Sequence, residues 1–472
     1  MIKTKKGCQQ QVDTSQIGIL GDMDATEIGS NIRNGNISIQ EAIDCVRDRA
    51  KIAEPKINAI VASNYDIDVS KLKLNKDAIF YGVPSYIKDL VEVKGFPCRQ
   101  GSKAIPDDII KKNDILVAQF ESTGSVILGK SATSEFGFLP SCETLVNGAT
   151  RNPRNLAYST GGSSGGAGAL VAAGVAPIAH TMDGGGSTRI PASCCGLIGL
   201  KPSRGRHVSS PTKKMPIDIV THGIVSKTVR DSTNYFRSIV NYNVSSKLTK
   251  IGTIDVMPKK RLKIGLIHTN PAGIDCHPDV TATTLQTGKI CSDLGHHVEI
   301  IENPYNENFT MDFIVYYSMM AKLNNQFGKL TYNRSFDAKA TENFTKELGY
   351  HFSKVMMMAP FSIHRMKNQL IKENRKAFET YDVILSPVLS APVCKIGYFG
   401  TTVSTFSMLM RLNNTTNFTM VQNVTGTPAI SLPLGKCKDG LPIGMQFCAP
   451  MNEESLLLSL AFELEAAQSF QF

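Results

Sequence analysis

Residues 161–206, GGSSGGAGALVAAGVAPIAHTMDGGGSTRIPASCCGLIGLKPSRGR, decide how this chain is read. Two serines, Ser163 and Ser187, sit in glycine-rich turns where no side chain blocks approach to the backbone. Glycine suits a sharp turn, a positive φ, or a bare N–H offered to a ligand. A serine among free N–H groups is half of an acyl-transfer site, a nucleophile beside an oxyanion hole. The missing half is a base. It is read as Lys88, in the upstream stretch GVPSYIKDL from Gly82 to Leu90.

Four motifs in order carry a resemblance. They are G-V-P-x-x-x-K-D ending at Asp89, GGSSGG from Gly161, D-x-G-G-S-x-R-x-P-A-S from Asp183 to Ser193, and C-G-L-I-G-L-K-P from Cys195 to Pro202. Singly, glycine-rich serine motifs are common; as an ordered set they resemble the amidase signature family. Ser163 and Ser187 lie 24 residues apart, the spacing of that family's Ser–cis-Ser–Lys triad. The resemblance implies Ser187 as nucleophile, Lys88 as base, and Ser163 as proton relay after a cis peptide bond at Gly162–Ser163. Ser164 is a neighbour in support, the 24-residue spacing favouring Ser163 as the relay. The N–H groups of Gly184, Gly185 and Gly186 are expected to hold the oxyanion, and Asp183 with Arg189 to fix the loop. No metal or organic cofactor is called for.

A lysine base makes a physical demand, because the side chain is charged at neutral pH unless burial lowers its pKa. Val83, Pro84, Ile87, Leu90 and Val91 give Lys88 the apolar surroundings that do this. Asp89 does not oppose it, since adjacent strand residues face opposite ways.

Along the chain, the first 20 or so residues read as a loosely attached tail, and residues 21–472 as a single domain with its signature core at about 75–235. Asp24-Ala-Thr-Glu27 and Ser38-Ile-Gln-Glu41 have capping-box spacing and predict a helical hairpin, with Pro55 ending the second helix. Ile79–Val83 and Ile87–Val93 read as strands, Leu116–Glu121 as a short helix feeding strand Ser125–Leu128, and the apolar Ala167–Ala179 as a buried helix broken at Gly174 and Pro177. Lys263–Thr269, Pro278–Leu294 and His297–Ile301 form a βαβ unit with parallel pairing. The Met-rich stretch at about 303–380 reads as a helical cap, followed by strands at Val383–Leu385 and Ala429–Leu434 and a last helix at Glu453–Gln468. Alternating elements give an α/β class. The resemblance sharpens this to one large mixed sheet flanked by helices on both faces.

Composition agrees with an ordinary globular protein. Net charge is +10, but its basic groups at Lys3–Lys6, Lys111–Lys112 and Lys259–Lys263 carry no interleaved aromatics, so no nucleic-acid partner is expected. Eleven cysteines without CxxC pairs or His-spaced clusters argue against zinc and against a disulfide framework, which places the chain in a reducing, cytoplasmic setting. No apolar run spans a membrane, and the basic N-terminus lacks a signal-peptide core.

Two other motifs are set aside. Gly124–Ser131 fits a phosphate-loop pattern, yet its Ser-Val-Ile-Leu interior is strand. Gly161-Gly-Ser-Ser-Gly165 fits the α/β-hydrolase elbow, but the upstream donor loop is missing and His180, the histidine nearest the signature, reads as a core residue. Met182 and Gly184 stand where the family commonly has a hydroxyl residue, and reduced turnover is expected from both.

The substrate class implied is a small-molecule amide. Gly148–Pro153 and Gly265–Pro271 look most like the branch containing the hydrolase of cyclic aminohexanoate dimer. The Met-rich runs Met356–Met358 and Phe406–Met410 read as helical core or as lining of an apolar pocket. A glutaminase subunit of a tRNA-dependent amidotransferase and a weakly active binding or effector protein on the same scaffold are the alternatives. Assembly as a homodimer is left open.

Overall fold

The computed structural model describes residues 11–470 except 209, 241, 243–247, 253 and 271–272. Its centre is an eight-stranded mixed sheet in the order His297–Ile300, Lys263–Leu266, Val383–Pro387, Pro442–Cys448, Ala429–Lys436, Ile198–Lys201, Thr221–Ser226 and Ile178–Asp183. The first three strands pair in parallel around the crossover helix Pro278–Asp293, as the βαβ reading requires. The remaining pairs are antiparallel. Helices flank this sheet, among them Gly165–Ala172, Arg189–Cys195, Val229–Ile239 and Glu454–Ala467.

A second, three-stranded sheet carries the proposed base. Its order is Ile60–Ser63, Val126–Ser131, Pro84–Lys88, the last pair being parallel. All five residues of Pro84–Lys88 are buried. The strand runs against the edge of the large sheet, where Ser85 Oγ donates to the Ile178 carbonyl at 3.0 Å. Lys88 is therefore the last residue of a strand walled in between two sheets.

The long strands Ile79–Val83 and Ile87–Val93 are replaced by this one short strand. Gly82 adopts φ +76°, and the 79–83 segment is a turn pinned to Thr123 and Gly124 by the Phe80 and Gly82 N–H groups. Beyond Lys88 the chain turns at once, with Leu90 and Val91 N–H returning to the Lys88 carbonyl. Pro55 lies inside the helix Ile39–Ile57, which ends instead at Asn58 in the left-handed region. The proline sits on the exposed face, where the carbonyl it leaves without an N–H partner is not buried in the core. The apolar run 167–179 is half helix, Gly165–Ala172, and then enters the strand Ile178–Asp183. Gly124–Ser131 is strand in its C-terminal part, as read.

The helix Gly165–Ala172 approaches the small sheet more closely than any side chain permits. A Cβ on Gly166 would lie 2.3 Å from the Ala132 nitrogen and 2.7 Å from its carbonyl oxygen. That contact sets the loop 161–164 directly above the end of the Lys88 strand.

Residues 11–20, part of the stretch read as a tail, are tied down. Val12 and Leu20 are buried, Val12 N–H donates to Pro153 O, and Thr14 N–H to Ala173 O. Arg49 holds the segment with bonds to the carbonyls of Ser15, Ile17 and Gly21, and reaches Gly174 as well. Residues 1–10, with the Lys3–Lys6 group, lie outside the described residues. Among the described residues no helix is long and apolar enough to cross a membrane.

Arg49→Ala removes four charge-assisted bonds and should cost about 3 kcal/mol in denaturant unfolding. Limited proteolysis of the variant should cleave within 11–21 before the rest of the chain; an unchanged cleavage pattern would show that the segment is held by apolar packing alone.

Candidate active site

Lys88, Ser163, Ser164 and Ser187, far apart in sequence, meet in one buried cluster. Lys88 Nζ lies 2.7 Å from Ser163 Oγ, 2.8 Å from Ser164 Oγ and 3.2 Å from the Met182 carbonyl oxygen. Ser163 Oγ lies 2.9 Å from Ser187 Oγ. The peptide bond Gly162–Ser163 is cis. Cys142, unremarked in the sequence, holds this loop: its Sγ donates to Ser163 O and accepts from Gly165 N–H, each at 3.2 Å.

Burial drives the Lys88 pKa from 10.5 down to about 7, although Cys142 and Asp183 pull the other way. No carboxylate among the described residues comes within ion-pair distance of its nitrogen. A neutral amine has two N–H donors and one lone pair, and its three partners fit that valence. The Met182 carbonyl can only accept, and Ser164 Oγ accepts in turn while passing its own proton to Met182 O at 3.4 Å. In the neutral amine the lone pair is left for the Ser163 side; in the ammonium Nζ donates to Ser163 Oγ, which donates on to Ser187 Oγ. Because residue 182 contributes its backbone, the methionine side chain leaves this contact intact.

Asp89 points the other way, as expected for the next residue, and pairs with Lys130 Nζ at 2.9 Å. Two fully buried lysines on neighbouring strands thus have opposite electrostatics. Burial alone would lower both, but the Asp89 carboxylate holds the Lys130 pKa above its ordinary value.

The loop 183–188 is shaped by one carboxylate. Asp183 accepts from Gly186 N–H at 2.7 Å, Thr188 N–H at 3.1 Å, and Arg189 through Nε at 3.0 Å and Nη2 at 2.9 Å. Burial would raise its pKa; Arg189 and these donors hold it well below the usual carboxylate range. The expectation of three glycine donors changes here, since the Gly186 N–H is committed to Asp183 and only those of Gly184 and Gly185, with that of Ser187, have no acceptor among the described residues. Gly186 is required for its φ of +128° and because a Cβ would meet Thr419 Oγ1 at 2.3 Å.

Three polar residues that sequence reasoning passed over complete the cradle. Arg189 donates to Gln446 Oε1 at 2.7 Å, Asn423 Oδ1 at 2.7 Å and Gln422 Oε1 at 3.2 Å, while Asn423 Nδ2 returns to Asp183. The signal was present: Gln422 and Asn423 interrupt an apolar segment, and a buried amide needs partners. His180 is a core residue, as read. It accepts from Lys88 N–H at 3.4 Å, stacks near His222, and burial keeps it neutral.

Ser187 opens onto a partly enclosed cleft. Phe138, Phe313, Tyr317, Phe344 and Leu348 supply its apolar walls, Gly162 and Gly185 flank the serine, and no lining residue is charged. The helices Phe309–Thr331 and Asn343–Val355 from the 303–380 stretch provide much of that wall. Met356–Met358 do not; they are exposed on a 3₁₀ turn, against both roles read for them. In the second run Leu409 lines the cleft, Met408 is core and Phe406 is exposed.

The sequence profile of the Amidase family matches residues 41–458. The chain belongs to the amidase family. "Putative amidase AmiC" of Mycobacterium tuberculosis is 38% identical over 453 residues, 95% of each chain. The 6-aminohexanoate-cyclic-dimer hydrolase of Pseudomonas sp. strain NK87 is 30% identical over 472 residues, 94% of each chain. A solved structure of 6-aminohexanoate cyclic dimer hydrolase superposes with a TM-score of 0.82 at 27% identity, covering 95% of this chain and 97% of that one. The chain is thus an amidase, a hydrolase of carboxamide C–N bonds, on the fold of that family.

Arg189→Met would leave Asp183 buried without its counter-charge. Equilibrium unfolding should register a loss of about 3–5 kcal/mol; a loss below about 1 kcal/mol would mean that the amides of Asn423 and the loop suffice for Asp183.

Proposed function

We propose that this amidase hydrolyses an uncharged carboxamide with a largely apolar body, through an acyl-enzyme on Ser187. One observation carries the reading: the unbroken row from Lys88 Nζ through Ser163 Oγ to Ser187 Oγ, with steps of 2.7 and 2.9 Å, ending at an apolar cleft.

Neutral Lys88 takes the Ser163 hydroxyl proton as Ser163 takes that of Ser187. The Ser187 oxygen bonds to the amide carbon, and the carbonyl π pair moves onto oxygen. The N–H groups of Gly184, Gly185 and Ser187 are the donors available to that oxyanion. Collapse breaks the C–N bond, and the proton returns from Lys88 through Ser163 to the leaving nitrogen. Water, deprotonated along the same row, then displaces Ser187 and frees the carboxylic acid. Each transfer moves a proton one hydrogen-bond length, so no side chain has to swing.

The uncharged lining of the cleft supports neutral substrates over glutamine. A glutaminase must seat an ammonium and a carboxylate, and burying either without a partner is strongly unfavourable. Similarity to a 6-aminohexanoate-cyclic-dimer hydrolase supports the same reading. Association of two copies belongs to the proposal only as an open assembly.

Ser187→Ala and Lys88→Met should each lower kcat/KM on a neutral aryl or alkyl amide by roughly 10⁴-fold or more, with unchanged circular dichroism. Ser163→Ala should cost about 10²-fold, since a water can replace a hydroxyl but not an amine. Near-wild-type turnover in the Ser187 or Lys88 variant would remove the proposed roles.

A further inference from the structure

Two lining residues of the cleft each carry a side-chain oxygen that finds no partner among the described residues. Thr310 Oγ1 and Asn417 Oδ1 are buried side-chain oxygens with no hydrogen-bond partner among the described residues, and both residues line the cleft that holds Ser187. Thr310 is 3% exposed and Asn417 1%. An unsatisfied buried polar atom costs about 1–3 kcal/mol, so two in one cleft call for an explanation.

Their orientation follows from neighbours. Thr310 lies three, four and seven residues before Phe313, Ile314 and Tyr317, all lining residues, so its side chain shares the helix face turned to the cleft. Phe313 reaches the loop at Gly185, where a Cβ would meet its ring at 3.5 Å. Asn417 follows the helix Thr405–Thr415, whose Leu409, Leu412 and Asn413 form the opposite lining face. The amide orientation of Asn417 is fixed, because Nδ2 donates at 2.6 Å to the Asn413 backbone carbonyl, which can only accept. The orphan atom is therefore the carbonyl oxygen, an acceptor that wants a donor. Two residues further on, Thr419 Oγ1 donates to Gly185 O at 2.6 Å, which ties this segment to the loop bearing Ser187.

We infer that Asn417, assisted by Thr310, forms a specificity subsite for a neutral N–H donor on the substrate, distinct from the bond that is cut. The preferred substrate is then an uncharged amide whose apolar chain carries a second N–H, as in a bis-amide, with Asn417 Oδ1 accepting that N–H. Thr310 Oγ1 can donate to the carbonyl of the same group. A cationic amine is a poorer occupant, because no carboxylate lines the cleft to replace its lost hydration. The inference rests on the proposed hydrolysis at Ser187 only for which cleft the substrate enters.

Binding separates the two readings. The Ser187→Ala protein is titrated by calorimetry with ω-acetamidoalkanamides of three to seven methylenes, and with the ω-acetoxy counterparts that replace only the N–H by oxygen. At the best-fitting length the acetamido compound should bind about tenfold tighter. Adding Asn417→Leu should reduce that ratio to about one. Equal affinities at every length, absence of binding, or a ratio that survives Asn417→Leu overturns the subsite. Turnover of the same primary amides by the wild type tests hydrolysis separately: tight, Asn417-dependent binding without turnover would refute the Ser187 chemistry and leave the subsite standing.

Discussion

A primary amine on a fully buried strand end must either find a counter-charge or give up its proton. For Lys88 burial favours the second course, drawing its pKa from 10.5 down to about 7, and the surrounding architecture supplies no paired carboxylate to oppose this. A carboxylate is one residue away, but the strand turns Asp89 to the opposite side, where it keeps Lys130 charged. Lowering the Lys88 pKa from 10.5 to about 7 corresponds to roughly 5 kcal/mol of lost stabilisation of the ammonium. Lys201, a third buried lysine, also falls to about 7 through burial, with the Arg189 charge adding to it. It donates to the Pro202 carbonyl and to no serine hydroxyl among the described residues. Burial alone does not set Lys88 apart from Lys201; the hydroxyl row in front of Lys88 does.

The rest of the site follows from keeping that amine dry and in line. Gly166 lets a helix touch the backbone of the small sheet, which sets Ser163 and Ser164 over Lys88. Asp183 gathers the next loop around itself and presents Ser187 at the far end of the row. Asp183 can stay ionised there only because Arg189 lies against it, and Arg189 is in turn satisfied by Asn423, Gln422 and Gln446. A network this buried tolerates no missing member, since one orphaned charge would cost more than the network gains.

Much of this was legible in the sequence because the motifs combine glycine with the clustered serines and lysine. Lys88, Ser163 and Ser187 come together as the resemblance implied, and the βαβ unit and the two capped helices Ala25–Arg33 and Ile39–Ile57 follow from hydrophobic period and caps. What escaped has physical causes. The strands Ile178–Asp183, Thr221–Ser226 and Pro442–Cys448 are buried on both faces and show no alternation to read. The Gly186 N–H looked like an oxyanion donor because sequence cannot show that Asp183 already accepts it. Met356–Met358 looked internal by composition, yet hydrophobicity alone does not decide burial on a short turn. Residues 11–20 looked loose because the arginine that ties them down is some 30 positions away, in a helix that reads as ordinary.

The measurement that tests the account most directly is the rate of Ser187 modification by a fluorophosphonate as a function of pH, followed by intact mass. The account predicts a rate that rises through a single inflection near pH 7, as Lys88 loses its proton, and no such inflection in Lys88→Met. A flat profile, or a rise delayed to near pH 10, would mean that Lys88 keeps its proton in the folded protein and cannot be the base.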